Sequence, residues 1–411
     1  MREAELEMLM TLTKRTSRPG ETLTLIVLAA VLGSCSSDGA SGGGGGGGDT
    51  GRRGEVLAAL GQSVVAPLIA ELEAETTSLE TALAEATAAA GGRDGAQAAW
   101  QQTMATWQRL EVMQFGPLGA SREVMGGQDL RARIYSWPLL NRCQIDRQTV
   151  QDGYDDPDAL EAVSGGPIGL GAIEYLLFTD DPSNECPPFD AINVDGTWDS
   201  MADMIPQRRL DYAAALATLV RRRSEELARA WAADGGNFIE EMTDPSRSGA
   251  VYGTAQEGLN AVSDAMFYLE KETKDMKLAT PLGISGCSTE QCPDRLESLW
   301  AFWSKEHVIA NLRGFQSLYL GGAPGDDGLG FDDLLRDMGA DDVADDMETA
   351  LTAALDATEA VPGTFREALT ENEPAMREAF MAVQVVTDLL KSDFLSVLDL
   401  EAPDRAAGDN D

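Results

Sequence analysis

The stretch Val56–Ala86, "VLAALGQSVVAPLIAELEAETTSLETALAEA", decides the fold. Val56, Leu60, Val64, Leu68, Leu72, Leu79 and Leu83 recur at intervals of four and seven, the period of one helix face and not the alternation of a strand. Gly91 and Gly92 stop the run. Asp94 can cap a second helix with Trp100, Met104 and Trp107 on one stripe, and "FGP" at Phe115–Pro117 breaks it. A shorter segment, Asp129–Trp137, stops at Pro138.

The pattern continues outward. Residues 140–200 read as a loop-rich insertion with short helices, and a helix of about thirty residues from Met201 carries Leu210, Leu216, Val220, Leu227 and Trp231. Another carries Val251, Leu259, Val262, Met266 and Leu269, and "ESLWAFWSKEHVIANLRGFQSLYLGG", Glu297–Gly322, reads as the most aromatic helix. After an acidic Gly/Asp linker at 321–330, helices are predicted at about 341–360 and 364–399. No run alternates convincingly as a strand. The fold class is therefore all-α, two antiparallel helix bundles side by side, one over residues 55–235 and one over 236–402, with an acidic tail at 403–411.

The N-terminus has its own logic. Lys14, Arg15 and Arg18 form a basic region, Leu23–Leu32 an apolar stretch too short to span a bilayer, and Leu32-Gly33-Ser34-Cys35 closes it. These four residues resemble the bacterial lipobox, so residues 1–35 read as a lipoprotein signal peptide and Cys35 as the lipidated residue, anchoring the chain to a membrane. Ser36 after the cysteine, where an Asp is absent, points to the outer membrane in lipoproteins of this kind. Residues 36–54, "SSDGASGGGGGGGDTGRRG", read as a flexible tether.

The chain of 411 residues is 43% hydrophobic, enough for substantial cores, and carries a formal net charge of −38. The signal holds four acids and four bases, so the mature chain keeps that charge. Such a surface repels nucleic acid. Besides Cys35 there are four cysteines. "CSTEQC" closes a small loop between Cys287 and Cys292, which leaves Cys143 with Cys186; an exported chain forms disulfides, and the His or CxxC spacing of a zinc cluster is missing.

His307 is the sole histidine, so H-E-x-x-H is excluded, and no Walker loop, nucleotide-binding GxGxxG or GxSxG elbow occurs. "NVDGTWD" approaches the offsets of a calcium loop, but Ala191 and Ala202 occupy its first and last ligand positions. The unusual charge is Glu174 in "GPIGLGAIEYLLFTDD", Gly166–Asp181, where Leu170, Gly171, Leu177 and Phe178 put it on the stripe to be buried.

"WQRLEVMQFGP", "SWPLLNRCQID", "GLGAIEYLLF", "KDMKLATPLG" and "ESLWAFWSKEHVIANLRGFQSLY", in that order, resemble the imelysin family over about residues 55–400. The resemblance implies an all-α, exported protein, often a lipoprotein, associated with iron uptake and once classed as a metallopeptidase. The family signature GxHxxE puts His and Glu on one helix face as proposed metal ligands. Gly169, Gly171 and Glu174 match it, with glycine at the histidine position, so only Glu174 remains to hold a divalent ion such as iron or zinc. Glu174 is then either a pocket carboxylate or the third residue of a helix capped at Gly171. Trp107, Arg109 and Phe115 with Ser304, His307, Asn311 and Arg313 are further candidates to line a ligand cleft.

The function expected from these readings is a ligand-binding or scaffolding lipoprotein at the cell envelope, linked to iron uptake and lacking peptidase activity. The alternatives are a metal-dependent hydrolase with Glu174 as general base, and a structural envelope protein with a vestigial cleft. Expected partners are the membrane, a small ligand or metal, and an envelope protein.

Overall fold

A computed structural model describes residues 46–403 except 89–91, 155 and 164–165. The signal segment and Cys35 lie outside the described residues, as do most of the tether and of the acidic tail. Among the described residues all regular structure is helical.

In chain order the helices are α1 (Gly46–Ala59), α2 (Ala66–Ala88), α3 (Arg93–Glu111), α4 (Leu130–Ile134), α5 (Arg142–Gln151), α6 (Pro157–Glu161) and α7 (Gly169–Phe178). Then come α8 (Ala191–Val194), α9 (Thr197–Ser200), α10 (Ile205–Trp231), α11 (Ile239–Thr243), α12 (Ala255–Met266) and α13 (Ser304–Leu320). The last are α14 (Phe331–Asp337), α15 (Asp341–Glu359), α16 (Phe365–Glu371), α17 (Glu373–Leu389) and α18 (Leu395–Leu398). Leu60–Val65, Leu269–Ala279 and Leu390–Phe394 are π-helical.

The leucine stripe of α2 is buried between α3 and α10, and α7 packs on both of those helices. Gly51–Ala88 is long and apolar enough to cross a membrane, yet here that stripe forms core. α15 packs on α17 and α13, and α3 packs on α13 to join the two groups. Gly314 permits this approach: a Cβ there would stand 2.2 Å from the Arg109 carbonyl oxygen.

Several expectations change; Val251, expected on a helix stripe, lies before α12 and is exposed, and the last helix, expected over 364–399, is interrupted at Asn372 between α16 and α17. α1 begins at Gly46, so the tether expected to end at residue 54 is helical over its last part; Arg53 donates to the Leu398 carbonyl at 2.9 Å and Arg52 to Asp337 at 2.7 Å, and these tertiary bonds offset the poor helix propensity of glycine. Asp94 lies in the first turn of α3, whose N-cap is Gly92. Glu297–Trp303, read as the start of the aromatic helix, is an irregular strap, and Phe302 sits at φ 55°. Pro403, first residue of the expected tail, is buried. Both disulfides form, Cys143–Cys186 and Cys287–Cys292.

Candidate functional site

Glu174 lies in the middle of α7 and is about 1% exposed. α7 starts at Gly169 with Ile168 as N-cap, so the capping alternative for Glu174 fails. Gly169 supplies the turn into the helix: its φ is +83°, and a Cβ would press on the Ile134 carbonyl at 2.7 Å. Glu174 instead reaches across to the strap. Its Oε1 accepts from Ser298 Oγ at 2.8 Å and from the backbone N–H groups of Trp300 and Ala301, each at 3.1 Å. Burial raises its pKa to about 7, against the opposing effects of these donors and of nearby His307.

Beside it lies a buried polar network. Glu297 Oε1 accepts from Tyr135 Oη at 2.9 Å and from Gln108 Nε2 at 3.1 Å. Its Oε2 is 3.0 Å from Lys277 Nζ and 2.9 Å from His307 Nδ1, an approach out of line for a hydrogen bond to the ring. Burial alone would raise the Glu297 pKa; Lys277 and His307 outweigh it and hold the carboxyl down at about 2. Lys277 also donates to Gln108 at 2.7 Å and Asn311 at 2.8 Å, while Asn311 Nδ2 donates to the Gln108 carbonyl at 2.8 Å. Arg131 pairs with buried Glu111 at 2.7 Å.

The sequence-predicted residues divide. Glu174, Ser304, His307 and Asn311 are buried at or beside this network, and Gly171 lies one turn before Glu174. Trp107 and Phe115 are fully buried core residues that a ligand arriving from solvent does not reach. Arg109 and Arg313 line a separate surface pocket of about 690 Å³, where they pair with Glu71 and Glu359. Sequence reasoning missed Gln108, Glu111, Tyr135, Lys277 and Glu297. Glu111 between Leu110 and Val112 was the available signal, a charge inside an apolar run.

The donor set does not fit a metal centre. Gly171 offers no donor atom, Glu174 Oε1 is taken by three protein donors, and His307 Nδ1 faces Glu297. Among the described residues the one group of three suitable side chains close enough to share an ion is Cys143, Cys186 and Asp190, and its sulfurs are joined in a disulfide.

The family model for Imelysin, Peptidase_M75, matches residues 62–392. A structure named as an iron-regulated protein A precursor from Parabacteroides distasonis ATCC 8503 superposes with a TM-score of 0.65 at 17% identity, covering 85% of this chain and 94% of that one. An imelysin-like protein from Psychrobacter arcticum 273-4 gives 0.63 at 16% identity, covering 86% and 97%. No curated protein matches the chain. The two structures establish the fold, and the family model spans the helix that carries Glu174 and the strap that holds it: this chain belongs to the imelysin family.

Proposed function

We propose that this imelysin-family protein is exported, lipid-anchored through Cys35 and active as a binding or scaffolding protein at the bacterial cell envelope, in an iron-related role and without peptidase activity. The observation that carries the reading is what Glu174 is bonded to. In a hydrolase the signature carboxylate would face a water and an electrophile. Here Oε1 accepts from the hydroxyl and two backbone N–H groups of the strap, and glycine stands where the signature has histidine. The iron-related role draws on the name of the Parabacteroides distasonis relative, and the envelope location on the lipobox.

A hydrolase reading draws on the burial of Glu174, which pushes its carboxyl up to about 7, where a general base works best. Incubation of the full chain with a denatured polypeptide, with and without chelator, separates the two. No cleavage is expected; chelator-sensitive cleavage abolished by Glu174→Gln would establish the hydrolase. Detergent phase partitioning tests the anchor. Wild type should enter the detergent phase and Cys35→Ser should not, and equal partitioning of both would refute lipidation.

A further inference from the structure

Outside the buried network, the strap and the segment after α4 enclose a pocket of about 300 Å³. Trp137, Leu140, Leu299 and Trp300 supply apolar and aromatic wall, and Glu297 is also part of the lining. Trp300 is fixed from behind: its backbone N–H bonds Glu174, and its ring packs edge-on against Tyr175 at 4.9 Å. A small pocket with preset aromatic walls and a few polar groups is the usual form of a small-molecule site.

Its charges select the ligand. Glu297 is already compensated by Lys277 and His307 behind the wall, so it presents little uncompensated negative charge. Arg142 and Arg295 stand at the pocket as exposed cations, and Asp294 is the exposed acid on the same lining. The Arg142 guanidinium lies 5.7 Å from the centre of the Trp300 ring, and its ion pair with Glu185 is long at 3.5 Å. Arg295 faces Asp294 at 3.8 Å, both largely exposed, a pair that a ligand carboxylate can displace at little cost. Guanidinium groups bind carboxylates through paired N–H donors.

From this arrangement we infer that the pocket between Trp137 and Trp300 binds a small planar aromatic carboxylate, its ring against the tryptophans and its carboxylate on Arg142 and Arg295. The inference deepens the binding-protein reading and rests on it. One to two fused rings suit the volume, and neither Glu174 nor a metal takes part.

The test is calorimetric titration of the full chain with 1-naphthoate, 1-naphthylmethanol and 1-naphthylmethylamine, which share a ring and differ in charge. Saturable one-to-one binding of naphthoate is expected, at least about tenfold tighter than the neutral and cationic compounds. Arg142→Gln combined with Arg295→Gln changes two exposed side chains and should leave the helical spectrum intact, while weakening naphthoate about tenfold and removing the preference for the anion. Trp137→Leu should weaken all three compounds. No saturable naphthoate binding, equal affinity for the three compounds, or unchanged affinity in the double arginine variant would each overturn the inference. Any of these in a protein that also fails to cleave polypeptide overturns the pocket and leaves the binding-protein reading standing; chelator-sensitive cleavage would overturn that reading instead.

Discussion

Gly171 tolerates a Cβ. A Cβ there would meet Tyr135 at 3.4 Å and Leu140 at 3.9 Å, ordinary contact distances, and replacing glycine inside a helix favours folding by about a few tenths of a kcal/mol. Gly171→His would restore the signature spacing with Glu174 three residues on, close enough for both to reach one ion. The variant should fold and bind Zn²⁺ at least about tenfold more tightly than wild type in a competition titration, and adding Glu174→Gln should cancel the gain. A folded variant with no gain would make Glu174 purely the anchor of the strap. Glu297 permits a prediction about acid. Its folded pKa near 2 lies below the ordinary carboxyl value, so the stability it contributes is complete above about pH 4.5 and is lost as the pH falls towards 2. Asp146, raised by burial to about 6, has the opposite sign and favours folding as the pH drops below 6. Glu297→Gln should therefore cost about 3 kcal/mol in urea unfolding at pH 7, because Lys277 keeps only the more distant Glu111 at 3.7 Å as a buried counter-charge, and much less at pH 3. An equal loss at both values would show that the charge is not what Glu297 contributes. At this scale the sequence showed that Glu174 is buried, since its neighbours at three and four residues are apolar; its partners lie more than 120 residues away and left no local mark.

Helices with one apolar stripe were legible because burial of that stripe sets the period, as in α2 and α10. The strap was not. Glu297–Trp303 has the composition of an amphipathic helix, but Glu174 captures the N–H groups of Trp300 and Ala301, so α13 waits until Ser304. Leu269–Ala279 departs from its composition in the opposite way. "LEKETKDMKLA" looks like a solvated face, yet Glu270, Lys274 and Lys277 are buried, Lys277 in the network around Glu297 and Lys274 beside Glu270. Cys143–Cys186 ties α5 to the loop before α8 across a separation of 43, whereas Cys287–Cys292 spans 5. By loop-closure entropy the first is worth about 4 kcal/mol and the second about 2. Replacing Cys143 and Cys186 by Ala should lower the urea midpoint more than the same change at Cys287 and Cys292. The reverse order would mean that denatured-state structure or local packing outweighs loop length.

One continuous hydrophobic core runs from Val56 in α1 to Leu400 after α18, and the polar network crosses it, linking Gln108 of α3 to Asn311 of α13 and both to Lys277. Half-proteins that merely touched would keep separate cores and melt separately. Here Gly314 brings the backbones of α3 and α13 together, and opening that contact would break the bonds that join Gln108 to Lys277, Glu297 and Asn311 and uncover apolar core on both sides. Unfolding of the chain should accordingly be one transition despite its length. The helical signal and the fluorescence of tryptophans in both parts, Trp100 before the insertion and Trp303 at the head of α13, should change at the same temperature, with calorimetric and van't Hoff enthalpies in agreement. Asn311→Leu removes the amide that ties α3 to α13 while keeping the branching and the number of side-chain heavy atoms. If the network couples the two parts, this variant should melt earlier and broaden or split the transition. Two resolved transitions in wild type, or a variant that melts earlier yet as sharply, would place the coupling in the apolar core alone.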